Sequence, residues 1–214
     1  KPEVAVVEFV FPLTPTSRIV ESKSFKLYLN SFNQTVFSDR AEVLRTLESD
    51  LSVTSQAPVL VRVRDSQRVQ QLGIARLPGE CLDDMDVRIS SYEYDPGLLQ
   101  LLPGARQVRE TLNSNLLKSN CPVTGQPDWA SVVISYSGSA IDRASLLRYL
   151  ISFRQHRDFH EQCVERVFLD LQRLLGEGCE LSVYARYLRR GGLDINPWRS
   201  TQPGMPDNLR LARQ

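Results

Sequence analysis

The 214-residue chain has little net charge and few of the rarer functional side chains: two histidines, two methionines and two tryptophans, with 26 basic and 25 acidic residues. Because nucleic-acid-binding domains usually carry a clear basic excess, this balance argues against a dedicated RNA- or DNA-binding protein. No apolar run approaches the roughly 20 residues of a membrane-spanning helix. No secretory signal is visible. We therefore expect a cytoplasmic protein that binds neither nucleic acid nor membrane.

Cysteine is also scarce, and its four positions form no CxxC pair and no zinc-ribbon spacing. A chain of this length can bury a full core without disulfide bonds. The composition, 42% hydrophobic and 24% charged, is that of an ordinary globular protein. We interpret the cysteines as reduced thiols in a reducing compartment.

Hydrophobic periodicity predicts helices and strands along the whole chain. In the first half, strands are predicted at 4–11, 58–64 and 85–94, and helices at 22–33 and 39–51, with Asp39 as an N-cap. In the second half, helices are predicted at 107–118, 142–155 and 158–175, and strands at 129–137 and 180–189. The prolines and glycines of residues 95–105 predict a linker between the halves.

The two halves share a short repeat. Aligned without a gap, residues 21–32 and 142–153 are identical at five of twelve positions, and each segment opens with an acidic residue. With the similar order of elements, this predicts a duplicated unit. We therefore expect an α+β fold of two units, residues 1–95 and 106–214, each with antiparallel strands and a helix pair on one face.

The segment from Lys118 to Trp129 (KSNCPVTGQPDW) is polar and rich in turn residues, as reactive loops often are. Cys121 lies within it, and Asp128 follows seven residues later. A thiol becomes a good nucleophile beside a proton acceptor or a positive charge, and Asp128 could exchange protons with the thiol or a substrate. Alternatively, Cys121 is a small buried apolar residue, as free cysteines usually are.

The segment FHEQCVE contains His160 and Glu161 at the start of a predicted helix. Asp158 and Glu161 have the spacing of a capping box, which would give Glu161 a structural role. His156 and His160 stand four residues apart, but no second cluster completes a tetrahedral metal site. A histidine near a reactive thiol is a plausible proton donor.

Two further segments could bind phosphate groups. Lys23 and Lys26 share one face of a predicted helix near its N-terminus, where backbone amides and lysines both favour anions. Near the end of the chain, Arg190 precedes Gly191, and glycines let a backbone approach a ligand closely. Neither segment has the GxGxxG pattern of a Rossmann cofactor site. Alternatively, Lys23 and Lys26 lie on an ordinary solvated helix face.

Together, four separated segments resemble one enzyme family. ESKSFKLYLNSF is similar to the signature motif of the NADPH-dependent 7-cyano-7-deazaguanine reductases, the nitrile reductases of queuosine biosynthesis, a tRNA-modification pathway. SNCPVTGQPDWAS resembles their nucleophile segment, FHEQCVE their substrate-anchoring segment, and RRGGLDINPWRS their C-terminal motif. The resemblance covers essentially the whole chain and is closest to the long, two-unit form of the family.

The resemblance implies a role for each matching position. Cys121 matches the nucleophile that attacks the nitrile carbon and forms a covalent thioimide. Asp128 matches the acid that protonates the nitrile nitrogen, and His160 a group that assists proton transfer. The implied binding residues are Glu21, Ser22, His160 and Glu161 for the substrate, and Lys23, Lys26, Arg190 and Gly191 for NADPH.

The resemblance also implies a fold and an assembly. The family has the tunnelling fold (T-fold), in which units of antiparallel strands and two helices assemble side by side into barrels. We therefore expect tandem T-fold units, a homodimer or higher homo-oligomer, the small molecule 7-cyano-7-deazaguanine as substrate, NADPH as cofactor and no metal.

Two alternatives predict different properties. A zinc-dependent T-fold cyclohydrolase or pterin synthase would explain Glu161 as a ring anchor, but it requires zinc ligands, and no convincing set can be assembled from the sequence. A non-catalytic tRNA-binding module is disfavoured by the near-zero net charge.

Overall fold

In the computed structural model, residues 3–64, 69 and 73–214 are described. Internal contacts divide the chain into two compact units, Lys1–Gly73 and Ile74–Gln214. The predicted linker at 95–105 lies inside the second unit, where it contains a short 3-10 helix, Pro96–Leu98. The assignment of residues 1–95 and 106–214 to two copies of one unit stays a prediction.

The first unit includes a pair of strands and the helices that lie between them in the chain. Strands β1 (Val6–Val10) and β2 (Leu60–Arg64) pair antiparallel. Helices α1 (Ser22–Ser31) and α2 (Arg40–Ser55) lie between them in the chain. The predicted N-cap is confirmed, because the Asp39 carboxylate accepts a hydrogen bond from the backbone N–H of Glu42 at 2.7 Å.

The second unit is built on a five-stranded sheet. In spatial order its strands are β3 (Glu80–Cys81), β4 (Gln107–Asn120), β5 (Pro127–Ser139), β6 (Glu180–Tyr187) and β7 (Trp198–Ser200). Strand β3 runs parallel to β4, and the other neighbours pair antiparallel. Helices α3 (Arg143–Ser152) and α4 (His160–Leu175) follow β5, with a 3-10 turn, Phe153–Gln155, after α3.

The core of the second unit lies between the sheet and its two helices. Alternate residues of β5, from Ala130 to Tyr136, face this core, as do those of β6 from Leu181 to Tyr187. Burying apolar side chains stabilises a fold by roughly 25 cal/mol per Å² of surface removed from water. The molecule is therefore α+β with predominantly antiparallel sheets, as predicted. Among the described residues, no helix is long and apolar enough to cross a membrane.

The predicted helix at 107–118 is wrong, because these residues form strand β4. Val108 and Leu112 face the core, but a register shift between Ser114 and Leu117 then brings Leu117 to the same side. Such a bulge breaks the two-residue alternation of a strand. The apolar residues of β4 therefore do not keep the two-residue period that identifies a strand in a sequence.

Two other local predictions are corrected. Residues 85–94 form no strand. Val87 and Ile89 pack against the core but do not pair with a neighbouring strand, so the alternation of apolar and polar residues here arises only because one side of the segment is buried. Asp158 and Glu161 form no capping box, because α4 begins at His160 and the Gln162 side chain accepts from the N–H of Phe159 at 3.3 Å.

The repeated segments adopt the same local structure. Both form ten-residue helices, α1 and α3, that end at a phenylalanine C-cap, Phe32 or Phe153. Each helix is capped by the acidic residue that opens its segment, Glu21 or Asp142. The sequence repeat therefore preserves a helix together with both of its caps.

The variant Gly79→Ala is expected to destabilise the second unit. Gly79 has φ +84°, and an added Cβ would collide with the backbone carbonyl of Thr111 on β4. The left-handed conformation alone costs about 1–2 kcal/mol for alanine, and the collision forces a further shift. We expect denaturant unfolding to report a larger loss for Gly79→Ala than for Gly104→Ala. Gly104 is the control because its φ is +66° and nothing lies within 4 Å. Equal losses would contradict the steric account.

Candidate functional site

Cys121 lies in the hairpin turn that joins β4 to β5 in the second unit. Its backbone N–H donates to the carbonyl of Gln126 at 2.9 Å, and its own carbonyl accepts from Gly125 at 2.9 Å. Gly125 adopts φ +68°, which closes the turn. The paired strands thus fix the position of Cys121. The residue is largely buried, but 8% of its surface remains accessible to solvent.

The surroundings of Cys121 favour its thiolate. Burial alone would raise the pKa of the Cys121 thiol, but four hydrogen bonds to the sulfur outweigh burial and lower this pKa below its ordinary value. The donors are the hydroxyl and backbone N–H of Thr124, the backbone N–H of Val123 and the guanidinium of Arg190. Since the thiolate is the nucleophilic form, the turn prepares Cys121 for attack.

Asp128 lies at the start of β5, on the strand that leaves the same turn. Its side chain is buried, and one carboxylate oxygen lies 3.1 Å from Nε2 of His160. The other oxygen pairs with the guanidinium of Arg190. A buried carboxylate is tolerated when such partners compensate for its lost hydration. Asp128 is therefore held between a proton-exchanging imidazole and a permanent cation.

His160 is held in place by its ring and by its backbone. Its imidazole stacks on the ring of Tyr187, with centroids 3.8 Å apart and planes 9° from parallel. The chain before it is tied to the end of β4, because the N–H of Asn120 donates to the carbonyl of His156 at 2.8 Å. These contacts aim Nε2 at Asp128 and restrict rotation of the ring.

Arg190 reaches the cluster from a tight turn after β6. Arg190 and Leu193 exchange two backbone hydrogen bonds of 2.9 Å, and the two residues between them, Gly191 and Gly192, have φ of +55° and +88°. A two-residue turn with both φ values positive strongly favours glycine at both positions. The glycine pair thus serves to place Arg190, whatever other contacts Gly191 makes.

Glu161 follows His160 on α4 and is partly buried. Burial raises the pKa of its carboxyl, against weaker lowering effects from its own backbone N–H and from His160. Within the described part of the chain, no other side chain hydrogen-bonds or ion-pairs with it. A partly desolvated carboxyl without a protein partner is a candidate for binding a ligand that donates hydrogen bonds.

The other predicted binding residues lie in the first unit. Glu21 caps α1: its carboxylate accepts from the backbone N–H groups of Lys23 at 2.9 Å and Ser24 at 2.8 Å. Burial opposes the change, but these bonds lower the pKa of Glu21. Ser22 is the first helical residue, and Lys23 and Lys26 are exposed one turn apart.

The cluster of Cys121, Asp128, His160 and Arg190 can carry out nucleophilic addition with proton transfer. It contains a favoured thiolate, a carboxylate–imidazole pair that can hold and move a proton, and a cation that contacts both parts. In the described ranges, 3–64, 69 and 73–214, no group of three or more potential ligands could hold a metal ion.

Sequence reasoning missed two residues of this site. Thr124 donates to the sulfur of Cys121, and the ring of Tyr187 stacks against the ring of His160. A polar residue three positions after an acceptor is a familiar local hydrogen-bonding pattern, so the spacing of Cys121 and Thr124 was a usable signal. Tyr187 gave no such signal, because its contact with His160 arises only from packing of β6 against α4.

Comparisons with known proteins find two family models on separate parts of the chain. Residues 1–63 match "Nitrile reductase, 7-cyano-7-deazaguanine-reductase N-term". Residues 127–204 match the model described as "QueF-like protein". The two matches together cover about two thirds of the 214 residues. Asp128, His160, Glu161 and Arg190 lie within the second match, and Cys121 lies six residues before it.

A solved structure also shows some likeness to the chain. It is the crystal structure of the archaeosine synthase QueF-Like in the apo form, with 16% sequence identity and a TM-score of 0.38. The match covers 47% of this chain and 96% of that chain. A TM-score this low does not establish a shared fold.

Proposed function

Because the chain belongs to the QueF family of nitrile reductases, we propose that it reduces the nitrile of 7-cyano-7-deazaguanine to a primary amine with NADPH. The observation that carries the proposal is the cluster of Cys121, Asp128, His160 and Arg190, in which a favoured thiolate lies beside a proton-exchanging pair. The product is 7-aminomethyl-7-deazaguanine, an intermediate of queuosine biosynthesis.

In the proposed reaction, Cys121 adds to the nitrile. Its sulfur forms a bond to the nitrile carbon, one C–N π bond breaks, and the nitrogen takes a proton from the Asp128–His160 pair. The product of this step is a thioimide, whose C=N group accepts a hydride more readily than the nitrile. Hydride addition to the C=N carbon leaves sulfur and nitrogen on the same carbon; the S–C bond then breaks as the C=N bond of an imine forms. This step regenerates the thiolate of Cys121, which Thr124 and Arg190 again stabilise.

Full reduction of a nitrile to an amine takes up two hydrides and two protons. NADPH supplies one hydride each time it binds, so two molecules are consumed for each amine formed. Asp128 and His160 supply protons at the substrate nitrogen and are recharged from solvent. Partial burial of the cluster would protect the imine from water between the two reductions.

Glu161 is proposed to bind the guanine-like edge of the substrate. Its carboxylate can accept two parallel hydrogen bonds from the ring N–H and amino groups of that edge. The absence of another side-chain partner for Glu161 among the described residues supports this role. Glu21 and Ser22 are proposed as further substrate contacts, although the carboxylate of Glu21 also caps α1.

Lys23 and Lys26 fit a phosphate-bearing cofactor. Both side chains are exposed on one face near the N-terminus of α1, where the helix dipole also favours anions. We propose that these lysines bind phosphate groups of NADPH. Arg190 and Gly191 were predicted to join them, but the guanidinium of Arg190 is already engaged by Asp128 and Cys121.

We further propose that the two units are tandem T-fold units in a cytoplasmic homodimer or higher homo-oligomer. The caps of α1 and α3 support a duplication, because both helices have an acidic N-cap and a phenylalanine C-cap at equivalent positions. Light scattering of the purified protein would measure the assembly, and a monomer at micromolar concentration would contradict this part of the proposal.

The function is tested by following NADPH oxidation with 7-cyano-7-deazaguanine as substrate. We expect two NADPH to be consumed for each molecule of amine detected by mass spectrometry. A simple aromatic nitrile without the guanine-like edge is the control substrate and is expected to be reduced poorly. Absence of NADPH oxidation with the deazaguanine nitrile would contradict the proposed function.

A further inference from the structure

Arg190 contacts both halves of the reactive cluster at once. Its guanidinium pairs with the carboxylate of Asp128, and it lies close enough to the thiol of Cys121 to help lower the pKa of that thiol. Asp128 also contacts His160 at 3.1 Å. A guanidinium presents five N–H donors in a rigid fork, so one side chain can serve two acceptors in fixed geometry.

We infer that Arg190 is a charge-stabilising and positioning residue of the nucleophile, which holds the Cys121 thiolate and Asp128 in a fixed relation. The inference rests on the proposed function for its place in the reaction, but the arrangement of Arg190, Cys121 and Asp128 is a property of the protein alone. It gives Arg190 a different primary role from the NADPH contact that the family resemblance implies.

Backbone hydrogen bonds in and beside the turn after β6 fix the position of Arg190. Arg190 and Leu193 close it with paired backbone hydrogen bonds, and the N–H of Leu188 donates to the carbonyl of Trp129 on β5 at 3.0 Å. This bond continues the β5–β6 pairing past the end of β6 and brings the turn beside Asp128. The side chain of Arg190 is 27% exposed, compared with 40% for its neighbour Arg189.

Arg189 provides a matched control within the same turn. It is the same residue type, one position earlier, and its guanidinium pairs with Asp194 at 2.9 Å, a residue outside the reactive cluster. Loss of Arg189 therefore removes one positive charge and one ion pair from this turn without removing a contact to Cys121 or Asp128.

The charged groups around the thiol decide the sign of the expected change. Arg190 favours the thiolate directly, and Asp128, paired with Arg190 and His160, adds a negative charge that is largely compensated. Lys118 on β4 donates to Asn120 at 2.6 Å and interacts electrostatically with Asp128, which adds to the compensation of that carboxylate. Removing Arg190 deletes a cation that favours the thiolate and leaves the charge of Asp128 less compensated. The thiolate then becomes harder to form.

The test is a pH titration of thiolate absorbance in the full chain, without nitrile or NADPH. The signal of Cys121 is isolated by subtracting the same variant carrying Cys121→Ala. We expect Arg190→Met to move the midpoint of Cys121 ionisation upward by about one pH unit or more, since a nearby opposite charge typically has that effect. We expect Arg190→Lys to give a smaller shift, and Arg189→Met to superimpose on the unchanged protein.

A titration of Arg190→Met that superimposes on the unchanged protein would overturn the inference. So would an Arg190→Met variant with a raised KM for NADPH and an unchanged titration, because that pattern is expected of a cofactor contact. If the protein failed to reduce the nitrile, the titration would still decide the role of Arg190. Circular dichroism checks folding, and Arg190→Lys retains a cation if Arg190→Met unfolds.

Discussion

Replacing Cys121 with alanine is expected to abolish nitrile reduction, with a loss of about 10⁴-fold or more in kcat, as when the nucleophile of a covalent catalyst is removed. No other group at the β4–β5 turn can form the thioimide. The variant is also expected to retain substrate binding, because Glu161 and the proposed contacts Glu21 and Ser22 remain. Steady-state NADPH oxidation and equilibrium binding of the deazaguanine nitrile measure the two effects separately.

The remaining cysteines supply controls for this variant. Cys81 is exposed and Cys179 partly exposed, and neither contacts the reactive cluster. Cys81→Ala and Cys179→Ala are expected to keep nearly full activity. Turnover by Cys121→Ala within tenfold of the unchanged protein would show that the reduction does not proceed through this thiol.

Replacing Asp128 with asparagine is expected to lower kcat by about 10²–10⁴-fold, the usual contribution of a positioned acid or base. Asparagine has nearly the same volume, so it preserves packing at the start of β5. Its amide cannot exchange a proton as the carboxyl does, and the variant removes the carboxylate that pairs with Arg190. We expect the loss in the rate of thioimide formation, with little change in affinity for the guanine-like edge.

Asp194→Asn is the matched control for Asp128→Asn. Asp194 forms an ion pair with Arg189 near the turn after β6, as Asp128 forms one with Arg190. Asp194 lies outside the reactive cluster. Rapid-mixing measurement of thioimide formation should therefore separate the two variants by at least tenfold. Similar rates for both would remove Asp128 from the chemistry and leave it a structural role.

Much of the site could be predicted from sequence because its signals are local. Cys121 and Asp128 lie seven residues apart in a polar, turn-rich segment, and this spacing predicts a shared loop whichever elements flank it. The caps of α1 and α2 were also predictable, since a cap depends on residues three positions apart. In each case the interacting groups are close along the chain.

The rest depends on packing between distant segments. Strand β4 was predicted to be a helix because its bulge removes the alternation that identifies a strand. Arg190 reaches Asp128 only through the β5–β6 pairing, and Tyr187 reaches His160 only because β6 packs beside α4. A single sequence carries no direct signal for such contacts, so these two roles emerged from the structure.

The most direct test of the central claim is the mass of the protein after incubation with 7-cyano-7-deazaguanine in the absence of NADPH. We predict a gain equal to the whole nitrile, since addition expels no atoms, and peptide mapping should place it on Cys121. Subsequent NADPH should restore the original mass and release the amine. An unchanged mass, or an adduct on Cys81, Cys163 or Cys179 instead, would contradict covalent nitrile reduction at Cys121.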